Sequence, residues 1–104
     1  MKILVVHEER AIADTLAEYL QSQGHRVLPL YCPFDALNHF LEIIQFDTAL
    51  ISVGLAELTG EELADVFRIE VFQPNCKVIL FGTHDAVEDV RSRRPDFEYL
   101  NLAV

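Results

Sequence analysis

The sequence has few basic residues, few cysteines and no long apolar run, and each shortage excludes a class of protein. Its 8 lysines and arginines are outnumbered by 17 aspartates and glutamates, which gives a net charge of −9. A field of that sign repels nucleic-acid phosphates and anionic headgroups, so we expect this domain to bind neither nucleic acid nor a membrane. No apolar run approaches the roughly 18 residues of a membrane span, and the apolar stretch after Lys2 is too short for a signal peptide.

The two cysteines, Cys32 and Cys76, lie 44 residues apart and form no CxxC pair. This spacing excludes the common structural zinc sites. Separated thiols are typical of reduced proteins of the cytoplasm, which is where we expect this protein to be. With 104 residues, 51% of them hydrophobic, the chain can bury one core but not two, so we predict a single domain over residues 1–104.

Five short apolar runs, at 3–6, 27–31, 48–53, 78–81 and 99–102, are typical of strands buried on both faces. Segments of helical periodicity lie between them. This alternation predicts an α/β fold, a flavodoxin-like doubly wound parallel sheet of five strands in the order 2-1-3-4-5. The residues that we expect in its core are Leu4, Val6, Leu16, Leu20, Leu50, Ile79 and Phe81.

The helices between the strands carry recognisable start and stop signals. The first has an apolar stripe, followed by a glycine as its stop signal; these residues are Ile12, Leu16, Tyr19, Leu20 and Gly24. Pro33 suits the first turn of the second helix, and Thr59 with Glu62 forms a capping box for the third. Asp85 and Glu88 are predicted to cap the last helix, and a proline at position 95 ends it.

Ligands of open parallel sheets bind at the carboxyl ends of the strands. The turn after the first strand has no glycine, and the chain contains neither GxGxxG nor GxxxxGK[ST], so no nucleotide cradle is predicted. His7, Glu8 and Glu9 cluster at the end of the first strand, as either a weak divalent-cation site or a solvated acidic loop. Ser52, with His7 or His84 as a base, is either a nucleophile without the GxSxG surroundings of one or a small polar residue that ends a strand.

Arg91, Arg93 and Arg94 form the only concentration of positive charge on this acidic chain. One interpretation is a docking patch for an acidic or phosphate-bearing partner, because guanidinium groups bind such anions with paired hydrogen bonds. The other is a solvated helix end, where the helix dipole favours positive charge.

Several stretches together form a recognisable series. Residues 2–6 precede the acidic segment 7–9, residues 46–52 end in Ser52, Gly60 follows eight residues later, and residues 78–82 and 98–100 complete it. In spacing and hydrophobic pattern this series resembles the receiver (response-regulator) domain of two-component signalling, up to the fifth strand. The resemblance implies the receiver version of the flavodoxin-like fold, without its final helix.

The resemblance also implies where the phosphotransfer chemistry of the family would lie. That chemistry uses an aspartate nucleophile, a carboxylate pair that holds Mg²⁺, a serine or threonine, and a lysine. Here Ser52 stands at the acceptor position, and His7 and Glu8 stand at the carboxylate pair. Gly82 replaces the serine or threonine, and Leu102 replaces the lysine.

These replacements remove most of the chemistry. A serine hydroxyl without a base is a weak nucleophile, and one imidazole with one carboxylate is a poor match to Mg²⁺. The resemblance therefore implies a phosphorylation-independent pseudo-receiver, which is an interaction module in signal transduction, is not an enzyme and needs no metal or cofactor. Tyr99, which matches the aromatic residue of the family's conformational switch, then marks a candidate interaction surface together with the three arginines. The alternatives are a phosphoaccepting receiver with a non-standard acceptor and a small flavodoxin-like enzyme that uses His7 or Ser52.

The sequence ends two residues after the fifth predicted strand, where family members continue into a final helix. We expect either that the chain is a piece of a longer protein or that another chain covers the open face of the sheet. Without cover, Val78, Leu80 and Leu100, or their alternating neighbours, are expected to be exposed. Such an apolar face favours a protein partner or a homodimer.

Overall fold

The computed structural model describes residues 1–38, 46–55, 59–70 and 77–101, in which five strands alternate with four helices. The strands are β1 (Lys2–Val6), β2 (Arg26–Leu30), β3 (Thr48–Ser52), β4 (Lys77–Gly82) and β5 (Glu98–Asn101). The helices are α1 (Arg10–Ser22), α2 (Pro33–Asn38), α3 (Gly60–Glu70) and α4 (His84–Arg93).

The strands form one parallel sheet in the order β2-β1-β3-β4-β5, which confirms the predicted topology. The register of β1 and β3 places Val6 beside Ile51, and the register of β3 and β4 places Ser52 beside Phe81. Because parallel strands end at the same edge of a sheet, the residues after β1, β3 and β4 meet there.

Alternate strand residues point to opposite faces of the sheet, and each face has its own apolar cluster. On one face, Ile3, Val5 and Phe81 pack with α1. On the other face, Leu4 and Leu80 pack with residues of α3 and α4. All seven predicted core residues belong to these two clusters, and Leu50 is buried as expected.

In helix α1 the prediction of the buried stripe was wrong for one residue, Tyr19. Tyr19 is 62% exposed, whereas Ala13 and Ala17 are buried. These alanines lie four residues apart on one helix face, and their small side chains bring the helix backbone close to the sheet. Large apolar residues at helical spacing predicted the buried face, and that pattern included Tyr19 but not the small alanines.

The predicted capping residues of helix α4 were wrong. The Thr83 side chain accepts a hydrogen bond from Ala86 N–H at 3.4 Å, so Thr83 is the N-cap residue. Asp85 lies inside the first turn, where the helix dipole favours a negative charge. Glu88 forms an ion pair with Arg91 instead of capping the helix. The helix ends at Arg93, just before the predicted proline stop.

The exposed apolar positions differ in part from those expected. The prediction named Val78, Leu80 and Leu100 or their alternating neighbours. Leu80 is fully buried and Val78 is half-buried, both on the face with α3 and α4, and the neighbour Phe81 is buried as well. Leu100 is 44% exposed, as expected. Leu102 and Cys76 lie outside the described residues. Among the helices of the described segments, none is long and apolar enough to cross a membrane.

Candidate functional site

The carboxyl ends of β1, β3 and β4 enclose an open pocket of about 250 Å³. It brings together three of the residues that the sequence singled out, His7, Ser52 and Gly82. The carboxylate residue that lines the pocket is Glu9, whereas Glu8 is exposed and is absent from the lining. The structure thus brings His7, Ser52 and Gly82 together at one edge of the sheet, with Glu9 beside them.

Ser52 stands at the end of β3 and is only 3% exposed. Its hydroxyl oxygen accepts a hydrogen bond from Gly54 N–H at 3.2 Å. The side chain therefore stabilises the turn that leaves the strand, as serine commonly does in turns. A hydroxyl held in this way carries no negative charge and has no carboxylate reactivity.

His7 follows β1, and its ring lies half-buried over Phe81, with the ring centres 5.6 Å apart. Its Nδ1 atom accepts a hydrogen bond from Glu9 N–H at 3.0 Å, which requires Nδ1 to be unprotonated. Burial lowers the pKa of His7 and outweighs the opposite effect of the Glu9 and Glu8 carboxylates. At neutral pH the position therefore holds an uncharged ring.

Gly82 ends β4, and the space beside it is filled by the side chain of Val53. A Cβ atom at position 82 would lie 2.8 Å from the Val53 Cγ2 atom, which is closer than real carbon contacts allow. A serine or threonine hydroxyl consequently has no room at this position unless Val53 moves.

Among residues 1–38, 46–55, 59–70 and 77–101, no group of three or more His, Cys, Asp and Glu side chains is arranged to hold a metal ion. The pocket itself offers one imidazole and one carboxylate, from His7 and Glu9. Mg²⁺ prefers an octahedral set of oxygen ligands, and this donor set is a poor match to it.

The stability of the protein is expected to fall in mild acid because of His7. A histidine whose pKa is lowered by folding contributes stability that is complete above its unfolded pKa and is lost as pH falls below it. We expect the urea midpoint of the wild type to drop between about pH 7.5 and about pH 5.5, spanning the usual histidine pKa. In His7→Asn, which keeps a hydrogen-bond acceptor but does not titrate, the drop should be smaller. An equal drop in both proteins would contradict this role.

The arginine cluster is engaged with carboxylates of the same chain. Arg91 pairs with Glu88 at 2.8 Å, and Arg93 lies 3.4 Å from both Glu61 and Asp89. Both arginines remain about half exposed, and surface pairs of this kind contribute little to stability, so these contacts do not exclude the predicted docking patch.

Arg94 is the most heavily bonded of the three arginines. Its guanidinium donates two hydrogen bonds of 2.8 Å to Asp65 and two more, of 3.2 and 3.1 Å, to Asp96. These contacts raise the pKa of Arg94 still further above the physiological range. The Tyr99 hydroxyl donates a hydrogen bond to the backbone carbonyl of Arg94, and burial raises the pKa of Tyr99.

The roles of Val53 and Asp65 could not be predicted from the sequence, whereas Glu9 belonged to the predicted cluster of His7, Glu8 and Glu9. Val53 was taken as the last residue of a strand, and nothing local indicates that it fills the space beside Gly82. Asp65 is 29 residues from Arg94, so its pairing depends on the packing of α3 beside α4. For Glu9 a signal existed, because residues two apart in an extended segment share a side.

No family model matches the chain. Over 73 residues the chain is 34% identical to the regulatory protein VanRc of Enterococcus gallinarum. The matched segment covers 70% of this chain and 31% of VanRc. The chain thus spans about a third of the length of this curated relative.

Solved structures of response regulators are similar in fold. The response regulator TrrA of Thermotoga maritima, in complex with Mg²⁺ and BeF, superposes with a TM-score of 0.77 at 24% identity, over 98% of this chain and 86% of that one. A receiver domain from Clostridium thermocellum gives 0.79 at 23% identity, over 99% of this chain and 82% of that one. The chain has the receiver fold, and the resemblance to receiver domains is confirmed.

Proposed function

We propose that this chain is a receiver-type domain of two-component signalling that acts without phosphorylation. It serves as a protein–protein interaction module, in the cytoplasm, and not as an enzyme. The observation that carries the proposal is the state of its pocket, where Ser52 replaces a carboxylate, the His7 ring is neutral and Val53 occupies the space beside Gly82. Each change removes a separate requirement of phosphoryl transfer.

The structure of TrrA offers a contrast in bound ligands. That protein was solved with Mg²⁺ and BeF, so a receiver fold can hold such ligands. In the present chain β3 has no carboxylate at the pocket, and the carboxylate residue in the pocket lining is Glu9. A serine hydroxyl needs a neighbouring base to become nucleophilic. The Nδ1 atom of His7 instead accepts a hydrogen bond from Glu9 N–H.

Treatment with a small-molecule phosphodonor tests the proposal. We expect the intact mass of the wild type to stay unchanged after incubation with acetyl phosphate and Mg²⁺. Ser52→Ala should behave identically, because Ser52 accepts no phosphoryl group. A gain of one phosphoryl group that disappears in Ser52→Ala would overturn the proposal and favour a receiver with a non-standard acceptor.

The enzyme alternative uses His7 or Ser52, with His7 or His84 as the base for Ser52. The Ser52 oxygen accepts from Gly54 N–H and the His7 Nδ1 atom accepts from Glu9 N–H, and both bonds are local turn contacts. No observation favours catalysis by this pair over a structural role for each residue.

The partner of the module is proposed to bind around β5, and a second copy of the chain is one such partner. Leu100 is 44% exposed and lies beside Phe81 in the register of β4 and β5, on the face that carries α1. Burying a leucine of this kind is worth about 1.5–3 kcal/mol at most. The proposed self-association would recover part of that energy, and a two-fold dimer is the commonest arrangement.

Sedimentation velocity at several salt concentrations measures this association. Because each chain carries a net charge of −9, repulsion opposes pairing and salt should screen it, so we expect the average mass to rise with ionic strength. Leu100→Glu should weaken the association, whereas Phe34→Glu, at an exposed apolar site on α2, should not. A monomer at high micromolar concentration in every salt would contradict self-association.

A further inference from the structure

A continuous set of contacts joins α3 to β5 through the turn after α4. Arg94 is the residue after α4. Its Nη1 and Nη2 atoms each donate a 2.8 Å hydrogen bond to one carboxylate oxygen of Asp65 on α3. The same guanidinium binds Asp96, two residues along the turn. One side chain thus links α3 to the turn after α4.

The backbone of that residue is fixed as well. Arg94 N–H donates to the Val90 carbonyl at 2.8 Å, and the Arg94 carbonyl accepts the Tyr99 hydroxyl. The guanidinium carbon also lies 4.6 Å from the ring centre of Phe97, which is buried. A single residue therefore connects a helix carboxylate, the helix end, the apolar core and the tyrosine of β5.

Geometry distinguishes Arg94 from the other arginines of the cluster. The Arg93–Asp89 contact is a single one of 3.4 Å between two mostly exposed side chains, the kind of surface pair that contributes little. The Arg94–Asp65 contact is bidentate, short and only about one-third exposed on each side. Paired hydrogen bonds of this type fix orientation as well as distance.

We infer that Asp65, Arg94 and Tyr99 form a clasp that sets the orientation of Tyr99 from α3, independently of the pocket at the strand ends. A partner that engages α3 and draws Asp65 away would release the turn and so alter the surface around Tyr99. The inference rests on the proposed function only in taking that surface as the one that partners contact. The clasp itself is defined by contacts that involve neither Ser52 nor His7.

Charge-matched variants separate the clasp from the rest of the cluster. Asp65→Asn removes the charge that binds Arg94, and Asp89→Asn removes the exposed partner of Arg93. In Asp65→Asn we expect amide hydrogen exchange over residues 94–101 to accelerate by about tenfold or more, since hydrogen bonds to charged groups are among the stronger ones. The aromatic NMR signals of Tyr99 should shift with it. In Asp89→Asn both readouts should stay as in the wild type.

A double-mutant comparison keeps the inference testable if one variant is poorly folded. Tyr99→Phe removes the hydroxyl, and we expect it to lower the urea midpoint less in an Arg94→Lys background than in the wild type, because lysine cannot make the forked contact. Additive midpoint shifts, or Tyr99 signals that ignore Asp65→Asn, would overturn the clasp. Neither result depends on phosphodonor reactivity, so the clasp and the proposed function fail separately.

Discussion

Replacing Gly60 by alanine is expected to destabilise the protein severely. A Cβ atom at position 60 would lie 2.1 Å from the carbonyl oxygen of Ser52, 2.9 Å from its carbonyl carbon and 3.1 Å from the Val53 Cα atom. All three are backbone atoms, so relief requires α3 to move away from the end of β3. Overpacking of this kind costs about 1–3 kcal/mol and more where backbone must shift, and we expect about 3 kcal/mol or more here.

Gly54→Ala is the matched control for Gly60→Ala. A Cβ atom at position 54 would meet only the Ser52 hydroxyl oxygen, at an ordinary 3.8 Å. A glycine that adopts an allowed backbone conformation can be replaced at little cost, and the stiffer unfolded chain offsets part of it. Urea unfolding should show a large drop in the free energy of unfolding for Gly60→Ala and a near-neutral change for Gly54→Ala. Similar changes in both would mean that α3 is not packed tightly on Ser52.

The second large effect concerns Gly82 and Val53 as a pair. Gly82→Thr would drive a Cβ atom to 2.8 Å from the Val53 Cγ2 atom, and valine is stiff because it branches at Cβ. We expect a loss of about 1–3 kcal/mol of stability from this crowding. Val53→Ala removes the obstructing methyl groups, so the double variant should be more stable than Gly82→Thr alone.

Thermal or urea unfolding of the four proteins in this cycle decides the matter. The expected result is a favourable interaction energy between the two substitutions, because each removes the reason why the other is harmful. Strictly additive effects would show that Val53 does not occupy the space beside Gly82.

The fold was predictable because its signals are local. The buried runs around Leu4, Leu50 and Phe81 and the helical spacing between them follow from hydrophobic periodicity, which reports the immediate surroundings of each residue. The alternation of strand and helix then leaves few topologies, and the observed strand order is the one predicted, 2-1-3-4-5. The receiver resemblance placed His7, Ser52 and Gly82 in one pocket, where the structure has them.

The rest of the site depends on contacts between residues that are distant in sequence. Nothing near Arg94 in the chain indicates that Asp65 will bind it, because that contact exists only once α3 packs beside α4. The sequence alone therefore leaves open whether the three arginines form a docking patch or a solvated helix end. Likewise, Val53 is an ordinary strand-end valine in sequence and becomes significant only through its approach to Gly82.

We expect the pocket not to bind the ligands of phosphoryl transfer, and an NMR titration measures this binding. Amide signals of residues 52–54 and 82–84 report on the pocket formed by Ser52, Val53 and Gly82. We expect millimolar Mg²⁺, alone or with beryllofluoride, to leave the chemical shifts of these signals and of Tyr99 unchanged. Saturable shifts that begin in the pocket and extend to Tyr99 would contradict it, because they would show a receiver that still binds and responds to a phosphoryl analogue.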